Sequence, residues 1–180
     1  SLQGDLSALE GMKLISLDVR NCSSLTSLKG IEGMPLTSLE LQECTSLQGD
    51  LAVLKGMKLT ELNLGFSFGL TGLEGVEGMP LTRLDLTNHG SLLGDLSALK
   101  GMKLVELILN NCSGLTSLKG LEGMPLTKLQ CADTSFSDLR RLKGMQLTLL
   151  HIQRTKVADL SPLGRMELET ICFTPKSITK

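Results

Sequence analysis

The chain has 180 residues, of which 41% are hydrophobic and 21% are charged, a balance typical of a folded domain and not of a disordered segment. Its formal net charge of -1 provides no global basic field, so neither nucleic acid nor an anionic membrane surface is predicted as a partner. No apolar run is long enough to cross a bilayer, and the first residues lack the pattern of a signal peptide. These features leave the compartment open.

The composition also points to an aliphatic core with a regular spacing. Leucine supplies 41 residues, whereas Trp and Tyr are absent, and the eight methionines stand 21 to 23 residues apart. This period is typical of a solenoid of stacked coils. Two residues after each methionine begins the pattern leucine-x-x-apolar-x-apolar, whose alternation predicts a strand with one buried face. The predicted strands lie near 14–19, 36–41, 59–64, 81–86, 104–109, 126–131, 147–152 and 168–173.

This pattern resembles the leucine-rich repeat family over essentially the whole chain. In that family an Asn or Cys follows the third apolar residue by three positions, points inward and hydrogen-bonds the backbone of neighbouring coils. This ladder position holds Cys22, Cys44, Ser67, His89, Cys112, Thr134, Thr155 and Lys176. His89 and Lys176 depart from the family's choice, and Lys176 suggests that the regular stack is ending. The resemblance implies an α/β repeat solenoid, a right-handed coil with a parallel concave β-sheet of about eight strands and short 3-10 or helical convex turns.

The segment between the ladder position and the next strand varies in length in a regular way. Long and medium copies alternate, so most of the chain is built from a double unit of 45 residues. Asp50 and Asp95 precede short apolar segments that end at Gly56 and Gly101, which predicts a capped single turn with a glycine stop. The opening residues copy Ser46 to Met57, so we expect one solenoid over residues 1–180 that begins within a repeat.

Residues between the inward leucines should face the concave surface, and these are the positions at which the copies differ. A constant frame with variable outward positions is what a binding surface requires. The residues predicted to contact a partner are Asp18, Glu40, Glu61, Asn63, Phe66, Arg83, Asp85, Glu106, Ile108, Asn110, Lys128, Gln130, His151 and Arg154. Acidic residues dominate the first five copies and basic residues the last ones. Phe66 and Ile108 are apolar where exposure is expected, which makes them the candidate contact anchors. The alternative is that they are scattered apolar residues of a solvent face, which need no function.

The sequence offers little for catalysis, and no cofactor or metal is predicted. Of the two histidines, His89 falls on the ladder and His151 on the sheet surface. The five cysteines lack the paired spacing of a metal site. Cys22 and Cys44 lie on adjacent coils, close enough for a disulfide, but we expect them to stack as free thiols, which is compatible with a reducing compartment.

The main hypothesis is a non-catalytic module that binds a protein or peptide through the concave sheet and does not bind nucleic acid or insert into a membrane. We expect a monomer in which uncapped termini allow end-to-end association. Thr155 to Leu163 and the closing FTPKSITK resemble repeats of bacterial multidomain proteins such as those attached to serine/threonine protein kinases. That resemblance implies a docking part of a larger protein. The alternative is a structural spacer or consensus-like engineered scaffold without a specific ligand.

Overall fold

The computed structural model describes residues 4–70, 72–90, 94–175 and 178–179, so Lys176 and its ladder position lie outside the described residues. The chain forms short strands joined by turns. In chain order the strands are β1 (Ser16–Asp18), β2 (Ser38–Glu40), β3 (Gln48–Gly49), β4 (Glu61–Asn63), β5 (Gly69–Leu70), β6 (Arg83–Asp85), β7 (Glu106–Ile108), β8 (Lys128–Gln130), β9 (Leu149–His151) and β10 (Thr170–Cys172). The 3-10 helices are Ser7–Leu9, Ala52–Leu54, Ser97–Leu99, Arg140–Leu142 and Ser161–Leu163.

Eight of these strands form one parallel sheet in the order β1-β2-β4-β6-β7-β8-β9-β10. Each strand pairs with its equivalent on the next coil without a shift, so that Leu17 lies opposite Leu39 and Leu39 opposite Leu62. The predicted coil with one parallel sheet and short convex turns is therefore confirmed. Each strand is three residues long, shorter than the predicted six-residue segments, because the chain turns soon after the second inward residue.

The core is a continuous stack of inward aliphatic side chains, one set from each coil. The inward strand residues Leu39, Leu84 and Leu129 are fully buried, and the recurring methionines from Met34 to Met145 are 4 to 6% exposed. In the first coil Met12 and Ile15 are 47% and 56% exposed. Because a single coil cannot bury its own leucines, the free energy of folding comes mainly from contacts between adjacent coils.

Each of the five 3-10 helices named above is preceded by an aspartate whose carboxylate accepts a hydrogen bond from the backbone N–H two residues later. Asp50 accepts from Ala52 at 3.0 Å and Asp95 from Ser97 at 2.9 Å. Equivalent bonds join Asp5 to Ser7, Asp138 to Arg140 and Asp159 to Ser161. At Asp95 the hydrogen bonds from Ser97, together with the nearby Lys119 ammonium, lower the pKa of the carboxyl to about 2. The aspartates thus start the turns through Asx turns.

The double unit contains a second parallel pairing that the sequence pattern did not predict. On the rim beside the convex turns, β3 pairs with β5, and single bridges join Gly4 to Leu25 and Gly94 to Leu115. The three pairings recur at the spacing of the double unit. This rim pairing explains why the long and medium copies alternate, since one copy of each type supplies one side of the pair.

A column of threonines reinforces the start of the main sheet. Each threonine donates both its N–H and its hydroxyl to one carbonyl of the preceding coil, as Thr60 does to Thr37 at 2.8 and 3.0 Å. The others are Thr37 to Ile15, Thr82 to Thr60, Thr127 to Val105 and Thr148 to Thr127. The threonine after the first leucine, present in five of the eight strand patterns, therefore stabilises the register between coils.

Candidate binding surface

The two residues that flank the inward residue of each strand face away from the core and form two rows across the sheet. The unshifted register places Glu61 between Ser38 and Arg83, and Asp85 between Asn63 and Ile108. The structure therefore brings together the predicted site residues that lie on strands, which are Asp18, Glu40, Glu61, Asn63, Arg83, Asp85, Glu106, Ile108, Lys128, Gln130 and His151. Phe66, Asn110 and Arg154 follow their strands and lie at the adjoining edge of the sheet.

Several outward side chains are held in place by bonds between neighbouring coils. Arg83 forms an ion pair with Glu106 at 2.8 Å, and the Asn63 amide donates to Glu40 at 2.9 Å. The Asn110 side-chain oxygen accepts the N–H of Ala132 at 3.0 Å. A surface whose polar groups are already oriented loses less conformational entropy when a partner binds.

Some of the predicted contact residues form ion pairs with other residues of the same face. Arg154 pairs with Asp133 of the preceding coil at 2.5 Å, and the guanidinium lowers the pKa of that carboxyl. Asp18 is paired with Arg20 at 2.7 Å. By contrast, Glu61 and Lys128 are exposed and form no ion pair with another described residue. These two side chains therefore offer charges on the strand rows that are exposed and not engaged in an ion pair with another described residue.

The structure corrects the expectation that Ile108 is exposed. Its side chain is only 8% exposed, although it lies on the outward row of β7. The unshifted register places Asp85 on one side of it and Gln130 on the other. Ile108 is therefore a buried apolar residue within an otherwise mostly polar row. Leu149, the other apolar residue of these rows, is half-buried.

The main apolar feature of this edge is an aromatic pair, of which only one member was predicted. Phe66 is half-buried and Phe68 is 55% exposed, and their rings meet edge to face with centroids 6.4 Å apart and planes at 78°. Sequence reasoning missed Phe68 because it lies beyond the strand pattern. The usable signal was its position two residues after Phe66 in a chain with only four phenylalanines.

The ladder residues lie inside the coil, where the chain leaves the sheet. Cys44, Ser67 and Cys112 donate to carbonyls of the preceding coil, at Val19, Leu41 and Leu86, over 3.2, 2.9 and 3.1 Å. Cys22 of the first copy is half-buried.

The later ladder residues bond differently. Thr134 and Thr155 donate to carbonyls of their own coils, at Cys131 and Ile152. These two belong to the shortest copies, where the hydroxyl turns back three residues. His89 is completely buried, and burial lowers its pKa, which favours the neutral imidazole.

The five cysteines are free thiols that differ in burial, which predicts their reactivity. Burial raises the pKa of Cys44 and Cys131 and raises that of Cys112 to about 11. Because the thiolate is the reactive form, at about pH 8 a thiol reagent should modify the half-buried Cys22 and Cys172 first. Mass spectrometry should find the other three modified only after denaturant is added. Modification of Cys112 in the folded protein as fast as Cys172 would contradict this placement.

Two further observations bear on the kind of site. No group of three or more His, Cys, Asp or Glu in the described ranges could hold a metal ion. No helix in those ranges is long and apolar enough to cross a membrane. An open groove of about 640 Å³ lies on the convex side between the last two 3-10 helices, away from the rows described above.

Comparisons with known proteins agree with this architecture. No protein-family model matches the sequence, and no curated protein sequence matches it. Among solved structures, the chain is similar to internalin C2 from Listeria monocytogenes, with 25% sequence identity and a TM-score of 0.63. The similarity covers 89% of this chain and 80% of that chain. Internalin C2 is a leucine-rich repeat protein. The similarity to it agrees with the repeated strand pattern, the inward ladder residues and the parallel sheet described above. The similarity to internalin C2 and the parallel-sheet solenoid together support the assignment of the chain to the leucine-rich repeat family.

Proposed function

We propose that the protein is a non-catalytic recognition module that binds a protein or peptide segment on its concave sheet. The observation that carries this proposal is the contrast between the two sides of each strand. The inward residue is leucine in seven of the eight strands, whereas the outward rows change from coil to coil in charge, size and polarity. A frame of this kind can vary its surface chemistry without altering its core.

The electrostatics of the outward rows support a partner with its own charge pattern. In the main sheet β1, β2, β4, β6 and β7 carry Asp18, Glu40, Glu61, Asp85 and Glu106 outward, with Arg83 also on β6, and Lys128 and His151 follow on β8 and β9. Complementary charges speed association and fix the register of a partner on an extended surface. The proposed ligand therefore lies across several coils, with its basic part over the first strands.

The proposal includes a place in a larger protein. The similarity of Thr155 to Leu163 to repeats of bacterial multidomain proteins supports a docking part whose partner domains carry any catalysis. The spacer alternative is favoured by the close likeness of the double units, because a spacer needs only regular stacking. It predicts no dependence of binding on the outward rows.

The test compares matched variants on opposite faces. Peptides are selected from a random phage-displayed library on the wild-type chain, synthesised, and their affinities measured by fluorescence anisotropy. The concave variant combines Glu61→Lys with Lys128→Glu, and the convex variant combines Glu10→Lys with Lys100→Glu. All four residues are exposed, and each double change leaves the net charge unaltered.

The expected result is a loss of about tenfold or more in affinity for the concave variant and no change for the convex variant. Equal affinity for wild type and the concave variant would show that the concave assignment is wrong. Loss of affinity only in the convex variant would do the same. A thermal melt of both variants checks that the fold is retained.

A further inference from the structure

We propose that Phe66 and Phe68 form the anchor of this surface and that they hold an extended basic segment, with an apolar side chain next to Lys or Arg, against the acidic coils around β4. The inference rests on the proposed function and deepens it by naming the chemistry of the partner. Three independent observations support it: the accessibility of the pair, the backbone conformation of Phe66 and the charges that surround it.

The first observation is that an aromatic pair with one largely exposed ring lies at the surface of a chain that has few aromatic residues. The protein contains four phenylalanines and neither Trp nor Tyr. Phe136 is buried in the core, whereas Phe68 is 55% exposed and touches Phe66 edge to face. The face of an exposed aromatic ring attracts an alkyl chain or a cation. The pair therefore suits an apolar side chain that lies beside a basic one.

The second observation is that the fold does not favour a phenylalanine at position 66. Seven coils place one residue with φ between 51° and 62° directly before the ladder position. These residues are Asn21, Glu43, Phe66, Asn88, Asn111, Asp133 and Arg154. Asn and Asp tolerate this left-handed conformation best, and they fill four of the seven positions.

The backbone N–H of Phe66 donates to Thr87 O at 2.8 Å, a hydrogen bond that does not depend on the side chain. An asparagine would make the same bond with less strain. A bulky residue kept in an unfavourable conformation, with its ring at the surface, points to a role outside folding.

The third observation is the charge around the pair. Glu43 precedes Phe66 in the left-handed column and is exposed, and Glu40, Glu61 and Asp85 lie on β2, β4 and β6. None of these four carboxylates forms an ion pair with another described residue. The nearby Arg83 is already paired with Glu106. The field beside the aromatic pair is thus negative, and it selects a partner that carries Lys or Arg.

The experiment uses the peptides selected on the wild-type chain and two further variants, Phe66→Asn and Phe68→Ala. Phe66→Asn installs the residue that the left-handed column favours, so its midpoint of thermal unfolding should equal or exceed that of wild type. A loss of binding in this variant is then not caused by unfolding. The expected result is that selected peptides carry Lys or Arg beside an apolar residue. Their affinity should fall at least about tenfold in each variant. It should also fall as the salt concentration rises.

The outcomes separate this inference from the proposed function. One outcome is that the peptides lose affinity for the concave variant but bind both phenylalanine variants like wild type. That outcome would contradict the proposal that Phe66 and Phe68 are the anchor, and the proposal of a concave binding surface would stand. Selected peptides without basic residues would overturn the partner chemistry. If selection yields no peptide that depends on the concave or phenylalanine positions, both proposals fail.

Discussion

Replacing Gly120 with alanine should destabilise the protein far more than the same change at Gly123. Gly120 has φ +107°, and a Cβ built on it would lie 2.1 Å from the carbonyl oxygen of Leu96 and 2.4 Å from its carbon. Leu96 cannot retreat easily, because its N–H bonds to Lys119 O and its carbonyl closes the 3-10 turn by accepting from Leu99. The clash is between backbone atoms of adjacent coils, so relief requires that two coils separate.

Gly123 provides the matched control. It also has a positive φ, +73°, but no heavy atom lies within 4 Å of its added Cβ. Gly123→Ala should therefore cost only the left-handed penalty of about 1–2 kcal/mol. Gly120→Ala should cost more than about 4 kcal/mol or prevent folding. Urea unfolding followed by circular dichroism measures both. Equal losses in the two variants would mean that the close approach of Gly120 to Leu96 is wrong.

The close approach of Gly120 to Leu96 shows which structural features the repeat spacing in the sequence can predict and which it cannot. Gly30 and Gly75 meet Leu6 and Leu51 just as Gly120 meets Leu96, one such contact in each double unit. The double unit itself was readable from the spacing of leucines. The reason for it was not readable, because the rim pairing and the buried glycines depend on how two coils approach each other in space. The periodicity of the sequence shows which residues recur in each unit. Which backbone segments touch is determined by how the coils stack.

The candidate site also has some features that the sequence predicts and others that it does not. The outward rows could be predicted residue by residue, since strand alternation fixes which side chains leave the core. The exposure of each residue along those rows could not be predicted, as Ile108 shows, because it depends on how the side chains of neighbouring coils pack around it. Phe68 was missed for a different reason. It lies in a turn where no periodic pattern assigns a direction to its side chain.

A second large effect is expected at Phe136, which is 1% exposed and among the largest fully buried side chains of the chain. It stands where the copies become shorter. Backbone bonds from Ser135 to Leu115 O and from Lys156 to Phe136 O stack its coil between those of the buried Leu115 and Val157. The ring therefore fills core volume at the junction between the long and short copies.

Phe136→Ala should lower the free energy of unfolding by about 3–5 kcal/mol, because it removes a buried ring and leaves a cavity that neighbouring coils fill only in part. Phe68→Ala deletes the same atoms at a 55% exposed position and should change stability by no more than about 0.5 kcal/mol. In a solenoid each coil is stabilised by its neighbours, so weakening this junction should also divide a single unfolding transition into two. The short C-terminal coils would unfold first. A loss in Phe136→Ala as small as that in Phe68→Ala would show that the ring does not hold the two kinds of copy together.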